Sequence, residues 1–90
     1  MKHFDWDEAK NAKLKAERGV GFEDVLTAFD EDRLLADLQH PKRPNQRQFV
    51  IEHNKYAFLV PYVEEDQKIF LKTIIPSRKA TRQHLKGGDK

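Results

Sequence analysis

Ninety residues make one small domain, expected to occupy residues 1–90, and exclude a two-domain enzyme with a cleft between its halves. With no cysteine, a disulfide framework, a thiolate nucleophile and a Cys-ligated zinc are excluded as well, and no apolar run approaches a membrane span or signal-peptide core, so a cytoplasmic chain is expected. The formal net charge of +2 hides an asymmetry: residues 1–40 carry six Lys/Arg against ten Asp/Glu, whereas residues 67–90 carry seven against Asp89 alone, which points to an anionic partner.

The first predicted element is a helix opened by Asp5 and Glu8, a D-x-x-E cap, and running to about Arg18. Ala9, Ala12 and Ala16 with Leu14 form its thin apolar stripe, and Gly19 stands where a left-handed terminus is needed. Trp6 at its start reads as a core anchor packed under a sheet, its indole N–H bonded to a carbonyl. Phe22, Val25, Leu26 and Phe29 recur at i, i+3, i+4, i+7, the spacing of a core-facing helix. Leu34, Ala36 and Leu38 then alternate as in a strand, and His40 to Asn45 form a proline-bounded loop.

Three period-two runs follow, Gln48–His53, Tyr56–Glu64 and Lys68–Ile75. The joins, Asn54-Lys55 and Glu65-Asp66-Gln67, are short enough to force antiparallel hairpins. Pro61 predicts a bulge or an unpaired stretch in the second run. In the third, alternation places Ile69, Leu71, Thr73 and Ile75 on one face and Phe70, Lys72 and Ile74 on the other. Pro76 closes the sheet, Ser77 caps a basic helix from Arg78 to Lys86, and Gly87-Gly88 ends it. The fold class is therefore α+β: two N-terminal helices, an antiparallel sheet of three to four strands and a C-terminal helix, with the helices on one sheet face.

The compact motifs of nucleotide hydrolases, zinc peptidases and serine hydrolases are missing, and His3, His40, His53 and His84 have no metal-ligand spacing, so neither a metal nor a cofactor is expected. What carries chemistry is the basic corner from Lys72 through Pro76-Ser77-Arg78-Lys79-Ala80-Thr81-Arg82 to His84. Metal-independent RNA cleavage needs a proton acceptor for the 2′-hydroxyl, fixed cations for the phosphorane-like anion and an acid for the leaving 5′-oxygen. Arg78 and Arg82 suit the anion, because one guanidinium binds two phosphate oxygens. Lys72, Lys79, His84, Tyr62, Glu52 and Glu64 all remain open as proton carriers.

Several strings carry a family likeness. Phe4-Asp5-Trp6-Asp7-Glu8-Ala9-Lys10-Asn11, Arg18-Gly19-Val20 with Phe22-Glu23-Asp24-Val25, Asn45-Gln46-Arg47 before a strand, and Pro76-Ser77-Arg78-Lys79-Ala80-Thr81 together resemble the BrnT toxins of bacterial type II toxin–antitoxin systems. The resemblance implies a RelE-like fold, metal-independent RNA cleavage that arrests translation on free or ribosome-associated RNA, and a hetero-oligomer with a ribbon-helix-helix antitoxin. It singles out Trp6, Asp7 and Lys10 at the first helix and Arg78, Lys79 and Arg82 at the last. Where members commonly read Lys-His-Gly, this chain has Glu17-Arg18-Gly19. The resulting candidates are Lys72, Arg78, Arg82 and His84 for catalysis, and Lys10, Arg18, Lys79 and Lys86 for RNA binding. A non-catalytic module that binds RNA or antitoxin through the same corner is the alternative.

Overall fold

The computed structural model describes residues 3–39, 42 and 46–85. Its elements, in chain order, are β1 (His3–Asp5), α1 (Glu8–Arg18), α2 (Phe22–Asp30), β2 (Leu34–Gln39), β3 (Gln46–His53), β4 (Tyr56–Glu64), β5 (Lys68–Leu71), β6 (Ile75–Pro76) and α3 (Arg78–His84). The sheet order is β1-β5-β4-β3-β2, and β6 also pairs with β4. The α+β class holds, but among the described residues a strand precedes the helices and the sheet has six strands, more than the expected three to four. The added β1 runs parallel to β5, with Phe4 beside Ile69. Three residues are too few to show a period-two pattern, so this strand exists only through its distant partner. The predicted loop from His40 to Asn45 lies mostly outside the described residues, as do Lys86 and Gly87-Gly88.

Because β1 takes up Asp5, the cap of α1 falls to Asp7, whose Oδ1 accepts from the N–H groups of Ala9 (2.8 Å) and Lys10 (3.3 Å). Gly19 ends α1 at φ 68°, as its position predicted. The buried stripe of α1 is not the alanine row: Ala9, Ala12 and Ala16 are exposed, and Asn11 and Leu14 are buried.

Asn11 has a structural reason to be inside. The residue preceding α2 is Gly21, which has no side chain to cap with, and Asn11 supplies the acceptor from the other helix: its Oδ1 takes the buried Phe22 N–H at 2.8 Å. Its Nδ2 donates to both carboxylate oxygens of Glu23 at 3.0 Å, and Lys15 Nζ lies 3.1 Å from Glu23 Oε1. Hydrogen bonding from Asn11, then from the Glu23 backbone and Lys15, holds this carboxyl below its ordinary value. A Cβ at Gly21 would come within 2.6 Å of Lys15 Cε and 2.8 Å of Asn11 Oδ1, so only glycine fits this corner.

The two sheet faces are covered differently. Phe49, Ile51, Phe58, Val60 and Tyr62 project with Leu71 and Ile74 into the main core under α1 and α2, meeting Leu14, Val20, Phe22, Val25 and Ala28. The alternate residues Val50 and Ala57 face the other way and pack against Ala80 of α3. The expectation of helices on one face is thus corrected: α3 covers the second face by itself. Trp6 is half-buried as an anchor, stacked on Phe22 at 5.5 Å, but its indole N–H donates to Glu8 Oε2 at 3.1 Å rather than to a carbonyl.

The predicted strand Lys68–Ile75 is also corrected. Leu71 and Ile74 both enter the main core, which strict alternation forbids, and the chain leaves strand geometry between β5 and β6. Of the two outcomes expected at Pro61, the bulge does not occur, since Pro61 pairs with Gln48 in unbroken register. The unpaired stretch does occur, since on its other side Pro61 falls between the β5 pairs from Tyr62 and the β6 pairs at Phe58 and Leu59. Its carbonyl accepts the Lys72 N–H at 2.8 Å, so its donor-less nitrogen faces the same side, at the break where no ladder bond is needed. No helix among the described residues is long and apolar enough to cross a membrane.

Asn11→Ala leaves the buried Phe22 N–H without an acceptor and is expected to lower unfolding free energy by about 1–3 kcal/mol. Lys15→Ala, at an exposed ion pair, should cost under about 1 kcal/mol. Urea denaturation with an unchanged m-value measures both.

Candidate nucleic-acid interface

The S-R-K-A-T string is where sequence, local structure and position meet. Ser77 Oγ accepts the Ala80 N–H at 3.0 Å and caps α3 as predicted. Ala80 is buried against the sheet, where only a small side chain allows the helix this close. Thr81 Oγ1 donates to the Ser77 carbonyl at 2.8 Å and accepts the Ala57 N–H at 2.9 Å, while the Ala57 carbonyl accepts the Ser77 N–H at 3.0 Å. Both backbone groups of Ala57 in β4 are therefore spent on α3. Ser, Ala and Thr fix the helix, which leaves the two central residues of the string, Arg78 and Lys79, exposed.

Arg78 and Arg82 are spaced i, i+4 and share one exposed stripe. Among the described residues, no side-chain hydrogen bond or carboxylate engages Lys72, Arg78, Lys79 or Arg82, as is also true of Lys10, Lys13 and Lys55 elsewhere; Arg33 is paired with Glu31, Arg47 with Asp37 and Lys68 with Asp5. His84 leaves the helix about 200° round from Arg82 at 3.6 residues per turn, so the two arginines and the imidazole lie on different flanks of α3. His84 instead lines an open groove of about 190 Å³ together with Lys79 and Gln83 of α3 and Leu38, Gln48 and Leu59 of the sheet.

Lys72 is exposed on the segment between β5 and β6. Its N–H meets Pro61 and the Ser77 N–H meets Ala57, so four residues of β4, about 13 Å, separate the two attachment points. The predicted catalytic set is therefore distributed along an edge rather than gathered on one atom. Lys10 belongs to α1, on the opposite sheet face from α3. The Arg18 guanidinium bonds the Ile74 carbonyl and so tethers α1 to the segment carrying Lys72. Lys86 lies outside the described residues.

Of the proposed proton carriers, Tyr62 is the most constrained. It is only 2% exposed, stacks on Phe49 at 4.0 Å, donates its O–H to Asp37 Oδ1 at 2.8 Å and accepts from Arg47 Nε at 2.9 Å. Burial, then the bond to Asp37, pushes its pKa up to about 12, which makes it a poor base at neutral pH. The same carboxylate, followed by Tyr62, raises Arg47 above its already high value. Tyr62 faces the α1–α2 side of the sheet, away from α3. Glu52 has its backbone held by Arg33, and Glu64 is exposed at the end of β4. Among the described residues, no group of three or more His, Asp or Glu is arranged to hold a metal ion.

The sequence marks Thr81 as part of the corner without giving it a role, and it does not single out Gln48 or Gln83. The threonine had a visible signal, since a hydroxyl four residues after an N-cap can bond back to it. The glutamines had none, because their convergence requires β3 to lie under α3. A family model described as ribonuclease toxin, BrnT, of type II toxin–antitoxin system matches residues 6–84. No curated protein matches the chain.

Thr81→Val, close in shape, strips Ala57 N–H of its acceptor and should destabilise the fold by about 1–3 kcal/mol, read by thermal or urea unfolding. Tyr62 has a folded pKa above its unfolded value of 10.0, so its contribution is complete below pH 10 and lost as pH rises towards about 12. Tyr62→Phe should remove that part of the decline when unfolding free energy is compared between pH 9 and 12.

Proposed function

The chain belongs to the BrnT family of ribonuclease toxins of type II toxin–antitoxin systems, and from that premise we propose that it is a metal-independent endoribonuclease whose α3 corner grips the RNA backbone. The observation that carries the proposal is the set of unpaired exposed cations, Arg78, Lys79 and Arg82 on a helix locked to β4 and Lys72 on the segment that leads to it. Four unneutralised cations within eleven residues of chain give the corner a field that attracts a polyanion.

In the proposed reaction the RNA 2′-oxygen attacks the adjacent phosphorus and the 5′-oxygen leaves, which gives a 2′,3′-cyclic phosphate and a 5′-hydroxyl. Arg78 and Arg82, one helical turn apart, stabilise the charge that develops on the phosphate oxygens. We assign the proton exchange to His84, which approaches the bound strand from the groove flank of α3, opposite the arginines. Lys72 holds a phosphate further along the strand, and Lys79 follows the backbone between them. Lys10, Arg18 and Lys86 extend the RNA contact beyond α3, so that the strand bends round the sheet edge to reach α1.

The biological setting follows from the family. An antitoxin is the protein partner, and we take it to be a ribbon-helix-helix protein in a hetero-oligomer with residues 1–90 as the toxin domain. We place the toxin with the RelE-like translation inhibitors of the cytoplasm, acting on free or ribosome-associated RNA.

Expression in a bacterium lacking the antitoxin should arrest growth, and Arg78→Ala and Arg82→Ala should each relieve the arrest while thermal unfolding stays unchanged. In vitro, each should reduce cleavage by about 10²–10³, the usual cost of removing a charge-stabilising donor, and wild-type cleavage should persist in chelator. Arrest that both variants leave intact rejects the assignment. Salt-sensitive RNA binding without cleaved products supports the non-catalytic alternative.

A further inference from the structure

The groove beside α3 is not explained by phosphate binding. Its floor is apolar, made by buried Val50 and Ala80 and half-buried Leu59. Its walls carry two carboxamides, Gln48 from β3 and Gln83 from α3, and neither has a side-chain hydrogen bond among the described residues. A carboxamide offers a donor next to an acceptor, the complement of a nucleobase edge, and an apolar floor suits the base's flat face. At about 190 Å³ the groove is smaller than the roughly 300 Å³ at which drug-sized sites begin, so it holds one planar group and not a folded segment. Lys79 stands at its wall, and the Arg78–Arg82 stripe runs along the same helix outside it.

We propose that this groove is a base-reading subsite, in which Gln48 and Gln83 select one nucleotide of the RNA while the cations of α3 hold the neighbouring phosphates. The assignment rests on the ribonuclease reading above and adds to it the origin of sequence preference. Phosphate contacts by Arg78 and Arg82 carry no sequence information, and the carboxamides do. An acidic antitoxin segment would satisfy the cations equally well, but it gives no use to paired carboxamides over an apolar floor.

The test is cleavage of a randomised RNA pool by the full chain, with product ends sequenced. Wild type should show a preference at one nucleotide position. Gln83→Ala, exposed on α3, and Gln48→Leu should each flatten that preference by about tenfold, whereas Arg78→Ala should lower cleavage of all sequences and leave the pattern unchanged. Melting temperatures like wild type's confirm that the variants are folded. An unaltered pattern in folded Gln83→Ala overturns the subsite and leaves the ribonuclease reading standing. The same pattern with a weakened antitoxin complex also overturns it and reassigns the groove to antitoxin docking. A wild type that cleaves without preference refutes the subsite alone, and one that cleaves no RNA refutes both readings.

Discussion

Ala57 is the point on which the arrangement of cations depends. In β4 its N–H donates to Thr81 and its carbonyl accepts from Ser77, so the strand and the first turn of α3 share two hydrogen bonds. A helix of seven residues is too short to hold its shape in water through its own bonds. Docking on Ala57, with Ala80 packed against Val50 and Ala57, supplies the order that helix propensity does not. The guanidinium groups of Arg78 and Arg82 then project from a fixed base, which reduces the entropy lost when they close on a phosphate.

The opposite face has a comparable single constraint. Asn11 replaces the cap that Gly21 cannot provide, and its carboxamide also orients Glu23 beside Lys15. Polar groups here serve the α1–α2 corner, over which Phe22 and Val25 reach the core. Tyr62, Asp37 and Arg47 form a second closed network on this side. The buried polar groups of the α1–α2 face are therefore satisfied internally, while α3 and the segment leading to it carry four exposed cations with no carboxylate partner among the described residues.

The distribution of charge explains how a chain of net charge +2 can address a polyanion. The acidic N-terminal half pairs some of its own cations, as Glu23 does Lys15 and Glu31 does Arg33. Near α3 no carboxylate among the described residues does the same. A field built in this way acts mainly on encounter and on backbone grip, both sensitive to salt, while selection among sequences has to come from groups that touch bases.

What could be read along the chain was local. Gly19 as a helix terminus, Ser77 as a cap, the apolar spacing of Phe22 to Phe29, the Asn54-Lys55 hairpin and the basic run after Lys72 all depend on residues a few positions apart, and all stand in the structure. What required the tertiary structure was long-range: β1 against β5, α3 on the second face, the break between Leu71 and Ile74, and Asn11 reaching across to Phe22. The cations were legible as a basic segment, but their division into an Arg78–Arg82 stripe, a Lys79–His84 groove and a separate Lys72 was not. Caps and periodicity fix how a segment folds on itself, whereas the register of one strand on another and the face a helix chooses are set by packing between residues the sequence keeps far apart.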